Sequence, residues 1–190
     1  MTNLNRAEAF LVVVDVQEKL MPVIDDHENV ERNLDRLIRG SHILDIRAVV
    51  TEQYTKGLGH TVPLLRTALD ATFGYEPIEK ATFSGFGCAE FVTAIRNLHR
   101  KHAIVAGIET HVCVYQTVRD LLANGFDVTV IADAVSSRSQ TNREIALRRM
   151  VSDGAKLSST EMVLFELTGA SGRTNFARSR ASFGEHAIDN

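Results

Sequence analysis

The chain has 190 residues and a mass of 21.0 kDa, which fits one domain of ordinary size, and its 44% hydrophobic and 24% charged residues support a sizeable core. Its 21 basic and 24 acidic side chains leave a formal net charge of −3, so the charge balance does not attract nucleic acid or an anionic membrane. No apolar run reaches the roughly 18 residues of a membrane-spanning helix, and the first residues lack the apolar stretch of a signal peptide.

Buried strands and amphipathic helices alternate in the apolar pattern. Runs rich in Val and Ile are typical of strands buried on both faces, and apolar residues three and four apart are typical of helices. In chain order, the pattern predicts a strand at residues 10–16, a helix at 28–44, a strand at 47–51, a helix at 89–100 and a strand at 103–108. It then predicts a helix at 112–124, a strand at 127–132, and helices at 142–152 and 161–168. Thr141 or Asn142 is predicted to cap the helix at 142–152. This order predicts an α/β fold with a doubly wound, mainly parallel sheet.

Two segments do not fit the alternation. Residues 53–86 contain several Gly and Pro and are predicted to be a long irregular segment, which in compact domains is often functional. Whether this segment acts as a lid is left open. Residues 169–190, rich in Ser, Gly, Arg and Asn, are predicted to be a tail outside the domain of residues 1–168, either frayed or acting as an arm between subunits.

Chemistry in doubly wound sheets gathers at the carboxyl ends of the strands, and Asp15 and Cys113 follow two such ends. Asp15 is costly to bury unpaired, so it is either functional or a helix cap. Cys113 is expected to meet the positive N-terminus of the helix at 112–124, which favours a thiolate, although a lone cysteine is more often a small buried hydrophobe. Lys80, considered alone, is typical of a solvated surface residue.

These three residues become informative as a set. Hydrolysis of an amide or acyl compound needs a nucleophile, a base for its proton and a positive group that favours the ionised nucleophile. Cys113, Asp15 and Lys80 fill those roles if the sheet brings them together, which spacing alone does not establish. With Cys88 the chain has two cysteines, too few for a disulfide scaffold, and this predicts a reducing, cytoplasmic location.

Five segments, taken in order, resemble the isochorismatase-like cysteine hydrolases, and most closely their isochorismatase domain-containing subgroup. They are residues 14–17 (Val-Asp-Val-Gln), 51–59 (Thr-Glu-Gln-Tyr-Thr-Lys-Gly-Leu-Gly), 79–84 (Glu-Lys-Ala-Thr-Phe-Ser), 107–114 (Gly-Ile-Glu-Thr-His-Val-Cys-Val) and 133–138 (Asp-Ala-Val-Ser-Ser-Arg). Each segment is weakly specific alone, whereas the ordered set is specific, and the resemblance spans roughly residues 9–168.

The resemblance implies a three-layer α/β/α fold and a triad of Asp15, Lys80 and Cys113. In that triad Asp15 accepts the thiol proton and later activates water, while Lys80 holds Asp15 and stabilises the thiolate. The family often has a cis peptide before the nucleophile, which maps to Ile108–Glu109. The amides of Glu109 and Cys113 would then form an oxyanion hole.

Five further residues are predicted to bind substrate. Gln17 follows Asp15 by two residues and is expected to orient substrate or water, or else to start a helix. The other four lie on the expected pocket loops: Glu52, Tyr54, Phe83 and Thr110. Phe83 has a competing interpretation as a core residue, because phenylalanine is usually buried.

No metal or cofactor is predicted. The nicotinamidase branch of the family binds its metal through an Asp-x-His pair and further histidines, whereas residues 52–54 here read Glu-Gln-Tyr and only His60 follows nearby. Residues 85–90 lack the third glycine of a dinucleotide fingerprint, and no phosphate-binding loop occurs.

The predicted function is hydrolysis of small amide-like or related carbonyl substrates through a thioester. The alternatives are a vinyl-ether hydrolase that uses Asp15 as an acid and leaves Cys113 idle, and a non-catalytic binding or scaffolding module. A small-molecule substrate is the expected partner, without nucleic acid or membrane, and relatives are commonly oligomeric, which predicts a homo-oligomer.

Overall fold

Six strands form one sheet: β1 (Ala9–Val14), β2 (Ala48–Gln53), β3 (Ile78–Lys80), β4 (His102–Ile108), β5 (Asp127–Ser136) and β6 (Lys156–Ser158). The structure, a computed structural model, describes residues 4–169, so the predicted tail beyond Gly169 lies outside the described residues. All the strand pairs are parallel, and the order across the sheet is β3-β2-β1-β4-β5-β6.

Seven helices connect and flank these strands within the same residues: α1 (His27–Ile43), α2 (Thr55–Leu58), α3 (Pro63–Asp70), α4 (Ala89–Asn97), α5 (Tyr115–Ala123), α6 (Gln140–Ser152) and α7 (Thr160–Thr168). A π-helical turn, Thr110–Val114, precedes α5. Between residues 4 and 169, no helix is long and apolar enough to cross a membrane.

Alternate residues of β1 face opposite layers of the domain. Leu11 and Val13 pack in one apolar cluster with residues of α1, α3 and α7, while Phe10 and Val12 pack in a second cluster with residues of α4, α5 and α6. Every residue of β1 and β4 is buried, because helices cover both faces of the sheet. The predicted three-layer α/β/α fold with a doubly wound parallel sheet is therefore confirmed.

The prediction that residues 53–86 are irregular is wrong, since α2, α3 and β3 lie within them. The strands β3 and β6 have three residues each, too few to show an apolar pattern. The helix α3 begins at Pro63, and proline is favoured in the first turn of a helix although it also marks loops.

The predicted cap of the sixth helix is also wrong. The cap of α6 is Ser139, whose hydroxyl accepts a hydrogen bond from the Asn142 N–H at 3.4 Å. Thr141 and Asn142 themselves lie inside the helix. The helix begins earlier than predicted because its first turn has no apolar residue that would mark it.

The strand order reverses between β1 and β4, which places a crevice at their carboxyl ends. Asp15 directly follows β1, and the π-helical turn follows β4 after one intervening residue, Glu109. Lys80 is the last residue of β3, at the same edge of the sheet. The topology thus brings distant parts of the chain to one place.

Gly107 makes the close approach of β4 to β1 possible. Its φ is +123°, and a Cβ atom built on it would lie 2.2 Å from the backbone oxygen of Val14. We expect Gly107→Ala to lower the free energy of unfolding by about 3 kcal/mol, because both the strained φ and the backbone clash oppose it. Urea unfolding followed by circular dichroism measures this loss.

Gly125→Ala is the matched control for that experiment. Gly125 has a φ of +81°, and a Cβ atom there would meet nothing within 4 Å. Its substitution carries the conformational cost alone, about 1 kcal/mol. Equal losses in the two variants would show that the contact with Val14 does not constrain residue 107.

Candidate active site

Asp15 is a fully buried carboxylate at the end of β1, in a left-handed conformation with φ 52°. The Thr51 hydroxyl donates to its Oδ1 at 2.7 Å, and Lys80 Nζ donates to its Oδ2 at 2.6 Å. These donors compensate the cost of burying the charge, which an unpartnered carboxylate could not bear. Asp15 is therefore held as a hydrogen-bond acceptor at the bottom of the crevice.

Lys80 is equally buried, and four oxygens surround its ammonium group. Besides Asp15, Nζ lies 2.8 Å from Gln53 Oε1, 3.1 Å from the Thr82 carbonyl oxygen and 3.2 Å from the Phe83 carbonyl oxygen. Both side chains of the Lys80–Asp15 ion pair are 0% exposed. A cation held by so many acceptors is fixed in position.

Cys113 lies in the π-helical turn between β4 and α5, and its side chain is hydrogen-bonded to Asp15. Burial first, and then the negative charge of Asp15, raise the pKa of the Cys113 thiol to about 12, while Lys80 acts in the opposite direction. The resting thiol is therefore neutral and donates to the carboxylate. Lys80 favours the thiolate, but burial and the adjacent carboxylate outweigh it.

Glu109 connects the turn before Cys113 to the segment after β5. Its carboxylate accepts from the Arg138 backbone N–H at 3.0 Å and lies 3.2 Å from Arg138 Nη2. One residue further, His111 Nδ1 lies 3.0 Å from the Ser137 hydroxyl. The Ile108–Glu109 peptide bond is cis, as the family resemblance implied. The Glu109 side chain is thus paired with Arg138, and its negative charge also acts to raise the pKa of the Cys113 thiol.

Gln17, predicted to orient substrate or water, is fully buried, and backbone groups occupy its amide. Its Nε2 donates to the carbonyl oxygens of Gln53 at 3.0 Å and Gly59 at 2.6 Å, and its Oε1 accepts from the Gln53 N–H at 2.7 Å. These contacts favour a bracing role between strand ends rather than direct contact with a substrate.

Glu52, also predicted to bind substrate, points to the opposite side of β2 from Thr51 and Gln53, as successive strand residues do. Its carboxylate accepts from Tyr75 and Thr61 and lies 3.1 Å from His60 Nδ1. Burial acts to raise the pKa of the Glu52 carboxyl, but these hydrogen bonds outweigh it and lower the pKa overall. Glu52 thus anchors the segment after β2.

The remaining three predicted substrate residues differ in exposure. Tyr54 and Phe83 are 57% and 54% exposed, so the interpretation of Phe83 as a core residue is wrong. Both adjoin Lys80, since the Tyr54 N–H donates to the Lys80 carbonyl oxygen at 3.0 Å and Phe83 accepts from Nζ. Thr110 is fully buried at the start of the π-helical turn.

Two contributors to the site were not predicted as site residues. Thr51 and Gln53 are two residues apart on β2, so they share a face, and they hold Asp15 and Lys80 respectively. Their position at the carboxyl end of a predicted strand is the signal that could have indicated them. Within residues 4–169, no group of three or more His, Cys, Asp or Glu side chains is arranged to hold a metal ion.

The fold and site together define a class of protein: a three-layer α/β protein with a buried thiol, carboxylate and ammonium at the switch point of a parallel sheet. The chain belongs to the isochorismatase family of hydrolases, because the family profile described as "Isochorismatase domain" matches residues 9–162. The resemblance stated from the sequence is confirmed.

Relatives from several organisms align over most of the chain. Isochorismatase domain-containing protein 2 of Danio rerio is 40% identical over 167 residues, which cover 87% of this chain and 82% of that protein. The secreted isochorismatase effector Isc1 of Phytophthora sojae is 34% identical over 177 residues, covering 93% and 84%. Since that relative is named as secreted, the cytoplasmic location of this chain stays a prediction.

Solved structures with the same fold include the MAR1 ribonuclease of Caenorhabditis elegans, at a TM-score of 0.89 and 37% identity, covering 99% of this chain and 95% of that one. The YcaC protein of Escherichia coli, described as an octameric hydrolase of unknown specificity, has a TM-score of 0.87 at 24% identity, covering 96% and 91%. At that identity the likeness shows the fold alone, so a homo-oligomer stays a prediction here.

Proposed function

We propose that the protein hydrolyses small amides or related carbonyl compounds through a thioester on Cys113. The observation that carries the proposal is the hydrogen bond between the Cys113 thiol and Asp15, whose carboxylate is itself held by Lys80 at 2.6 Å. A nucleophile, its base and the group that orients the base are the arrangement that nucleophilic catalysis needs.

Acylation begins from the neutral thiol. As sulfur attacks the carbonyl carbon, the S–H proton moves to Asp15, so that the thiolate forms only when it is consumed. The S–C bond forms, and the backbone amides of Glu109 and Cys113 stabilise the oxyanion. Asp15 then gives the proton to the departing nitrogen, the C–N bond breaks, and the amine leaves.

Deacylation reverses the proton path. Water attacks the thioester carbon, Asp15 accepts the water proton, the C–S bond breaks, and sulfur regains a proton from Asp15. Lys80 keeps its charge throughout and holds Asp15 in place between the two half-reactions. The water that attacks supplies the proton that sulfur regains, so the proton balance needs nothing beyond the chain, the substrate and this water.

The burial of Asp15 restricts the leaving group. The carboxylate is 0% exposed, and Thr51, Lys80 and Cys113 surround it. A nitrogen that receives its proton from Asp15 must come into this enclosed space, which favours ammonia or another small leaving group. The exposed Tyr54 and Phe83 have backbone contacts with Lys80, which supports them as the residues that hold the remainder of a small substrate.

The vinyl-ether alternative uses Asp15 as a proton donor. In the structure Asp15 accepts hydrogen bonds from a hydroxyl, an ammonium and a thiol, and this arrangement suits a base rather than an acid. The structural neighbour from Caenorhabditis elegans is named a ribonuclease, which makes RNA another candidate substrate. A net charge of −3 gives this chain no general attraction for a polyanion, so small molecules are favoured.

The test is an activity panel with nicotinamide, ureido acids, simple amides, isochorismate and a short RNA, combined with intact-mass detection of adducts on Cys113. We expect ammonia release from at least one amide and a thioester-sized adduct that iodoacetamide pre-treatment abolishes. Release of product from isochorismate or RNA that survives alkylation of Cys113 would favour the alternatives. The absence of turnover and adduct across the panel would favour a non-catalytic module.

A further inference from the structure

Thr110 carries a buried hydroxyl group with no hydrogen-bond partner. Among residues 4–169, only two buried side-chain polar atoms lack a partner, Thr110 Oγ1 and Ser41 Oγ. The Thr110 side chain is 0% exposed. Burying a hydroxyl without a partner costs stability, and such groups in native proteins are few. The Thr110 hydroxyl therefore has no hydrogen-bond partner among the described residues, and a bound small molecule can supply one.

The two hydroxyls differ in location. Thr110 begins the π-helical turn that carries Cys113, so its hydroxyl belongs to the same short segment as the thiol, just beyond the carboxyl end of β4. Ser41 lies in α1, which packs on the other layer of the sheet from Cys113. Only Thr110 is therefore placed to meet a molecule that reacts at the thiol.

Asp15 has room for one more donor. A carboxylate offers about four acceptor positions, and those of Asp15 meet three donors, from Thr51, Lys80 and Cys113. A small molecule with two O–H groups can donate one to Asp15 and the other to Thr110 Oγ1. Water fits this description, and buried water typically bridges polar groups of this kind.

We propose that Thr110 positions the water that hydrolyses the acyl-enzyme. The inference rests on the proposed function and adds to it a residue with a defined role. Thr110 Oγ1 accepts one O–H of the water, Asp15 accepts the other, and the water oxygen attacks the thioester carbon. The C–O bond forms, the C–S bond breaks, and the proton taken by Asp15 passes to the Cys113 sulfur.

The experiment measures deacylation directly and needs no natural substrate. N-acetylimidazole acetylates the full-length protein, and intact-mass and peptide spectra follow the acetyl group on Cys113. We expect Thr110→Val to slow the decay of the acetyl-enzyme at least about tenfold, because an oriented hydrogen bond to the nucleophile is lost. Thr110→Ser, which keeps the hydroxyl, is expected to decay within about threefold of the wild-type rate.

Ser41→Ala is the matched control, since it removes the other unpartnered hydroxyl. We expect it to leave the decay unchanged, and we expect neither Ser41→Ala nor Thr110→Val to lower the melting temperature, because each removes a buried group without a partner. If Thr110→Val fails to fold, Thr110→Ala takes its place and is expected to show the same slow decay.

Each contrary outcome has its own meaning. Wild-type decay in Thr110→Val, with Cys113 acetylated normally, would overturn the inference and leave the proposed function intact. Slow decay in Thr110→Ser to the same extent as in Thr110→Val, with lower melting temperatures in both, would assign Thr110 a structural role and also overturn it. If wild-type Cys113 resists acetylation altogether, the proposed function fails and the inference fails with it.

Discussion

Lys80→Met is expected to lower the free energy of unfolding by about 3–5 kcal/mol, the loss typical of leaving one member of a buried ion pair without its counter-charge. Asp15 would keep the Thr51 hydroxyl and the Cys113 thiol as donors, but it would lose the ammonium group with which it is paired. Methionine has nearly the length of lysine, so the change removes the charge with little loss of packing. Urea unfolding at neutral pH measures the loss.

The double variant Asp15→Asn with Lys80→Met separates charge from packing. Because it removes both charges, we expect it to be more stable than the sum of the two single losses predicts, by at least about 2 kcal/mol. It should nevertheless be inactive, since it has no base for the thiol. A strictly additive cycle would show that the two charges do not depend on one another for their burial.

The partly exposed pair of Arg39 and Asp35 provides the matched comparison. Its Nε–Oδ1 distance is 2.9 Å, close to that of the buried pair, but the two side chains are 39% and 21% exposed. We expect Arg39→Met to cost less than about 1 kcal/mol, as for other surface ion pairs. The contrast isolates burial, rather than distance, as the cause of the large effect at Lys80.

The parts of the fold that the sequence predicts are those with a strong local pattern. The continuous apolar runs of β1 and β4 indicate strands covered on both faces, and the structure buries every residue of both. The short strands β3 and β6 carry no such pattern, since three residues complete neither an alternation nor a run. Their place at the sheet edges is set by tertiary pairing with β2 and β5.

The candidate site divides in a similar way. Asp15 attracts notice because a charged residue follows an apolar run, whereas Cys113 and Lys80 gain meaning chiefly from the family resemblance. Thr51 and Gln53 could not be assigned from spacing, because their contacts depend on the register that sets Thr51 beside Val14 and Gln53 beside Lys80.

The protonation state of the thiol is another property that the sequence does not determine. A position near a helix start predicts a stabilised thiolate, and the presence of Lys80 agrees with it. Burial and the charge of Asp15 act in the other direction and prevail, which raises the pKa of Cys113 to about 12. Only the three-dimensional arrangement shows which of these opposing effects is larger.

Asp15→Asn is expected to lower the pKa of the Cys113 thiol and to slow turnover. The change removes a negative charge and a hydrogen-bond acceptor that both raise the thiol pKa, while Lys80, which lowers it, stays. We expect the pKa of Cys113 to fall, so that the thiolate absorbance near 240 nm appears at lower pH than in the wild type. Turnover should fall by about 10²–10⁴, since the base is lost.

The size of the increase in thiol reactivity follows from two opposing effects. Well below the thiol pKa, each unit by which that pKa falls raises the thiolate fraction about tenfold, whereas the intrinsic nucleophilicity of the thiolate falls by only about threefold. Iodoacetamide should therefore alkylate Cys113 faster in Asp15→Asn than in the wild type, with the half-buried Cys88 as the internal reference. If alkylation and turnover fall together in this variant, Asp15 activates the thiol by some route other than accepting its proton during attack. If both are unchanged, Asp15 is not the base.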